Sequence, residues 1–122
     1  RLGDATGLTN YGVNYVVLPA GQASAQRHWH KVQDEFVWVL EGELVLVTDA
    51  GEELMTPGMS AGFPAGEPDG HHLVNKTDKP AAYLEIGDRL PGDAGAYPDI
   101  DMRFEFDAGG KPHFLHKDGT PY

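Results

Sequence analysis

The chain has 122 residues, with 19 acidic side chains against nine basic ones, a formal charge of −10 and no cysteine. Its length suits one domain with one core, burying roughly two-thirds of the unfolded surface without disulfide staples. The acidic surface excludes phosphate backbones and anionic lipid as partners, and the missing cysteines exclude thiolate metal sites and thiol nucleophiles.

No apolar run approaches the ~18–20 residues of a membrane span. The lack of cysteine fits a reducing compartment, so the expected location is cytoplasmic. The chain opens on Arg1, with no initiator Met and no signal-peptide pattern, which reads as a processed N-terminus.

Sixteen glycines and nine prolines punctuate short alternating runs, and apolar residues at helical spacing are absent. In chain order the expected strands are Asn14–Leu18, a segment at His28–His30, Glu35–Leu40, Leu44–Thr48, Glu53–Thr56, Ser60–Phe63, His71–Asn75 and Ala81–Ile86. Glu41-Gly42, Asp49-Ala50-Gly51 and Pro57-Gly58 supply turns between them. Many short strands so spaced predict an all-β barrel or sandwich with few or no helices. Beyond Gly87 the pattern weakens. Leu90–Tyr97 reads as loop, Asp101–Phe106 as one further strand, and Asp107–Tyr122 as a Gly/Pro-rich end. The expected organisation is a single domain over residues 1–122. Its barrel core spans about 13–87, and a tail at 88–122 wraps the barrel or a neighbouring subunit.

Chemistry concentrates around His28-Trp29-His30. On a strand, alternate residues share a face, so both imidazoles enter one space while Trp29 points away. Glu35 opens the next strand, with Val37 and Val39 in phase on what reads as an apolar interior wall. A carboxylate on such a wall is costly unless it is paired or bound to a cation. Further on, His71 shares its face with Leu73 and Asn75, while His72 falls on the opposite one.

Two groups of these residues resemble the paired motifs of the cupin superfamily, in particular its small single-domain bacterial metal-binding members. Gly21, His28, His30, Glu35 and Gly42 are similar to the first motif, and Gly58, Pro64, Gly66, His71 and Asn75 to the second. The sequence departs from the pattern twice: six residues separate Gly21 from His28, and four separate Gly66 from His71. The second departure leaves His72 as a rival to His71. The resemblance covers about Val16 to Ile86 and implies a double-stranded β-helix, the jelly-roll barrel. It also implies one divalent metal ion per chain held by His28, His30, Glu35 and His71. Iron, manganese, zinc, nickel or copper suits such a donor set.

By the same alternation Phe36 and Trp38 face outward, and Trp29 is expected beside them. The aromatic patch predicts a homodimer through Trp29, Phe36 and Trp38. His113 and His116 read as incidental. Arg27, Arg89 and Tyr83 are within reach of a pocket, and Asp34 adjoins Glu35. Glu85, Tyr83 and His72 are acid–base candidates.

Fold does not fix reaction class. The expected function is oxygenase-type oxidation of a small molecule at a mononuclear three-His, one-Glu site. The alternatives are a sugar-phosphate isomerase or lyase, and a non-catalytic module binding a small ligand or metal. A phosphate clamp would draw on few cations, namely Arg27, Lys31, Lys76, Lys79 and Arg89.

Overall fold

The computed structural model describes residues 1–122. A one-turn helix α1 (Leu2–Ala5) precedes eleven strands. These are β1 (Tyr11–Leu18), β2 (Trp29–His30), β3 (Glu35–Glu41), β4 (Leu44–Thr48), β5 (Gly51–Met55), β6 (Ser60–Phe63), β7 (His72–Val74), β8 (Ala81–Asp88), β9 (Ala94–Tyr97), β10 (Met102–Phe106) and β11 (Pro112–Leu115).

Strand alternation builds the core. The first sheet runs β1-β8-β3-β6, antiparallel throughout, with Val39 opposite Tyr83 and Val37 opposite Glu85. Val37 and Val39 are buried, as their phase requires, and pack against Tyr83, Leu18 and Ala81. The second sheet, β5-β4-β7, contributes Leu44, Leu46, Met55 and Leu73 to the same cluster. Apolar burial from two facing sheets is the main stabilising term here.

Local chemistry closes the turns. Gly42, between β3 and β4, has φ of 74°, and an added Cβ would lie 3.0 Å from the Ala81 Cα. Both facts favour glycine there. Asn75 is fully buried. Its amide donates to the carbonyls of Leu18 at 3.0 Å and Lys79 at 2.7 Å, while its oxygen accepts from the Thr77 N–H and hydroxyl. Every polar atom of that side chain is thus satisfied, so its inward phase serves the fold.

The end of the chain corrects the sequence reading. Ala94–Tyr97 is a strand where a loop is expected, and Pro112–Leu115 is another. Together with β10 they form a meander that adds to β2, in the order β11-β10-β9-β2. Residues 88–122 therefore fold back on their own barrel as a third sheet.

Trp29 also differs from expectation. β2 belongs to this third sheet, whereas Phe36 and Trp38 sit on the first. Trp29 is half-buried and lines a small cavity of about 160 Å³ with His30 and His71 as well as Leu46, Ala61 and Phe63. The outer face of the first sheet is built without it, from Val13, Tyr15, Val17, Phe36, Trp38, Leu84 and Ile86. Trp38 there is 43% exposed and Val17 53%. No helix is long and apolar enough to cross a membrane.

Candidate metal centre

Two strands and an isolated bridge converge on one point. β2 delivers His30, with His28 just before it bridged to His71, and β3 delivers Glu35 at its first residue. Donor atoms of His28, His30 and Glu35 all lie within 4.8 Å of one another, a group that can hold a metal ion. His71 lies outside that tight set but brings its Nε2 to 3.0 Å from Glu35 Oε2. His28 Nε2 is 3.7 Å from Glu35 Oε1, and His30 Nε2 touches the same oxygen.

The second ring nitrogens decide what this cluster wants. His28 Nδ1 lies 2.8 Å from the Gln26 carbonyl, which only accepts, so Nδ1 carries a proton. His30 Nδ1 lies 2.6 Å from Asp93 Oδ2, with the same consequence. In neutral rings both Nε2 lone pairs then face the Glu35 carboxylate, which is repulsive without a cation between them. Imidazole nitrogens and a carboxylate oxygen are the donors that divalent transition metals take. The residues present therefore fit a metal ion. His71 is oriented differently: its Nδ1 is buried without a partner, and its ring stacks on Phe63 at 3.6 Å between centroids.

Charge in the cluster follows from this geometry. Burial works to raise Glu35, but the imidazoles of His28, His30 and His71 hold its carboxyl well below the usual carboxylate range. Burial pulls His30 down, yet the Glu35 and Asp93 carboxylates push it up to about 9.

A cavity of about 550 Å³ opens over the cluster. Its walls hold Val37, Phe63 and Leu73 together with Asn14, Tyr83 and Glu85 from β1 and β8. Glu85 faces inward between Asn14 and Val37, its cross-strand partners. Tyr83 is pushed up to about 12 by burial and then by the charge of Glu85. Arg89 borders the cavity and pairs with Asp4 at 2.8 Å.

Other candidates fall elsewhere. His72 donates from Nδ1 to the Ala25 carbonyl at 2.8 Å; it lines the same cavity but stands outside the cluster. Asp34 accepts from the Ala65 N–H at 2.7 Å. Arg27 is taken up by Asp99, Asp49 and the Gly70 carbonyl, so it braces loops instead of reaching into the cavity. His113 pairs with Asp107 and His116 with Asp101, and the two imidazoles make no common site. The residue missed in the sequence is Asp93, only 1% exposed and bonded to His30. Nothing but its acidity sets it apart in the small-residue run Gly92–Ala96.

A barrel of short antiparallel strands that brings His-x-His and Glu together defines the double-stranded β-helix class. Residues 14–87 match the family described as Cupin domain, and the chain belongs to the cupin family. No curated protein sequence matches it. Among solved structures, a cupin-superfamily protein of Silicibacter pomeroyi described as a sugar phosphate isomerase is 53% identical, with a TM-score of 0.95. The match covers 100% of this chain and 77% of that one. A protein of Acidithiobacillus ferrooxidans, provisionally named a sugar phosphate isomerase, is 28% identical with a TM-score of 0.90, covering 99% and 76%. Salicylate 1,2-dioxygenase of Pseudaminobacter salicylatoxidans is 26% identical with a TM-score of 0.57, covering 65% of this chain and 22% of that one.

Proposed function

We propose that this cupin is a metal-dependent isomerase of a small phosphorylated sugar, with Glu85 as the proton-transferring group. The observation that carries the reading is a second carboxylate, Glu85, which lines the same polar cavity of about 550 Å³ as the His–Glu cluster, opposite Val37 on the strand beside Glu35. The 53% identity to a protein described as a sugar phosphate isomerase, over the whole chain, supports the substrate class. It sets isomerisation ahead of the oxygenase chemistry that the donor set alone suggests.

His28, His30, Glu35 and His71 would hold one divalent ion per chain, iron, manganese, zinc or nickel, supplying Lewis-acid polarisation of a substrate oxygen. The chain's own groups do the rest. Glu85 takes a proton from the carbon beside the carbonyl and returns it to the former carbonyl carbon. A hydroxyl proton moves to the carbonyl oxygen in the same exchange, so nothing is oxidised and no co-reactant is needed. Asn14, opposite Glu85, orients a substrate hydroxyl. Arg89 turns from Asp4 toward the phosphate, and the cysteine-free chain suits work in the cytoplasm.

Glu85→Gln is expected to lower turnover by about 10²–10⁴-fold while leaving the metal content intact. Solvent-deuterium incorporation into a panel of aldose and ketose phosphates, followed by proton NMR, measures it. Turnover unchanged in the variant removes Glu85 from the reaction. Oxygen uptake on adding a phenol or an organic acid to the ferrous protein, with no isomerisation, moves the reading to the oxygenase class, which the likeness to salicylate 1,2-dioxygenase supports.

We also propose a homodimer through the outer face of the first sheet. Seven apolar side chains lie there in one layer, with Tyr15, Val17, Phe36 and Trp38 exposed, and a two-fold axis would set the layer against itself. Light scattering at micromolar concentration is expected to give twice the chain mass, and Trp38→Glu to give the monomer. A monomeric wild type sinks the proposal.

A further inference from the structure

We propose that Asp93 is a positioning residue of the metal centre, holding the His30 proton on Nδ1 so that Nε2 stays bare for a divalent cation. This rests on the reading of His30 as a metal ligand. Asp93 lies beyond residues 14–87, the part of the chain that matches the cupin domain. The C-terminal sheet therefore supplies part of the site.

The two oxygens of Asp93 have separate tasks. Oδ1 accepts from the backbone N–H groups of Val32 at 3.0 Å and Gln33 at 3.3 Å. Oδ2 accepts from His30 Nδ1 at 2.6 Å. The segment is pinned on both sides, since Phe106 N–H donates to the Asp93 carbonyl at 2.9 Å and Lys31 N–H to the Ala94 carbonyl at 2.6 Å. The carboxylate is 1% exposed, and its side-chain partner is an imidazole, with no Lys or Arg paired to it. Burying a carboxylate so is costly, and holding two backbone N–H groups needs only one oxygen. An asparagine would do that as well. What an asparagine cannot do is accept from His30 with its second atom.

That difference defines the test. In Asp93→Asn the carbonyl oxygen stays with Val32 and Gln33, and the amide NH₂ then points at His30 Nδ1. A neutral ring facing a donor keeps Nδ1 bare and moves its proton to Nε2, the atom a metal needs. Loss of such an outer partner typically weakens metal binding by about 10–100-fold.

The experiment titrates Zn²⁺ into metal-free full-length wild type, Asp93→Asn and Asp93→Ala against a competing chelator, with melting of each metal-free protein alongside. Asp93→Asn is expected to bind Zn²⁺ about 10–100-fold more weakly than wild type and no better than Asp93→Ala, while melting closer to wild type than Asp93→Ala does. Proton NMR of the zinc-loaded wild type should show a downfield His30 Nδ1 proton that Asp93→Asn lacks. Asp93→Asn binding as wild type overturns the proposal and leaves the metal reading standing. So does an affinity loss that merely follows the loss of stability across the two variants. A wild type that binds no Zn²⁺ overturns the metal reading and this proposal with it.

Discussion

Glu35→Ala is expected to reduce bound metal to less than about a tenth of the wild-type level, in protein purified without a chelating column and measured by elemental analysis. The reason is positional. Glu35 is the one group that the three imidazoles share, since His28, His30 and His71 all aim Nε2 at its two oxygens. Without the carboxylate the site loses its charge and its central donor together. The remaining rings, with centroids 5.0 Å apart for His28 and His30, keep only neutral donors for a dication.

The same substitution should abolish the rise in melting temperature that metal gives wild type, because a ligand binding only the folded state adds RT ln(1 + [L]/Kd). That is about 2.7 kcal/mol at a hundredfold excess over Kd. The barrel itself should persist, for Glu35 stands at the first position of β3, and the core residues Val37 and Val39 are untouched. His28→Ala should behave alike with a smaller loss, since it removes one imidazole of three. Full metal occupancy in Glu35→Ala would refute its role as a ligand.

The parts of this site that the sequence discloses are those on alternating strands. Glu35, Val37 and Val39 share a phase, so the alternation alone reveals a carboxylate on an apolar wall, and His71 separates from His72 by the same parity. Turn residues fix where the strands begin and end. The barrel core is legible for these reasons, and so is the convergence of two histidines with Glu35. Sheet membership is not. Nothing in Arg27–His30 reveals that this strand leaves the company of β3 to pair with β9.

β9 itself is hidden because three of its four residues are small. Ala94-Gly95-Ala96 lacks the β-branched and aromatic side chains that announce a strand, and the lack is a packing requirement. Small residues let two backbones and a phenyl ring meet in one layer. Asp93 is hidden with it, because an acidic residue among glycines and alanines has the look of a solvated turn. Its value comes only from the fold that carries it beneath His30.

That packing requirement makes Gly95→Ala the strongest test of the C-terminal sheet, with an expected destabilisation of about 3 kcal/mol, the upper end for overpacking. A Cβ on Gly95 would stand 1.9 Å from the Trp29 carbonyl oxygen and 2.6 Å from the Phe104 ring. The ring can swing, but the carbonyl is backbone of β2, so one of the two strands has to move. Gly95 lies opposite His30 in the ladder and two residues from Asp93. Any shift of β9 therefore pulls the carboxylate away from its imidazole as well. The variant should lose roughly 10 °C of melting temperature, given a few degrees per kcal/mol in a chain this size. It should also bind Zn²⁺ more weakly than its stability alone would dictate. Gly62→Ala is the control, because a Cβ there meets nothing within 4 Å and should leave both quantities near wild type. Calorimetry of the two metal-free variants decides the matter. If Gly95→Ala melts within about a degree of wild type, the contact between β9 and β2 is loose enough to admit a methyl group, and the C-terminal strands do not brace the metal centre.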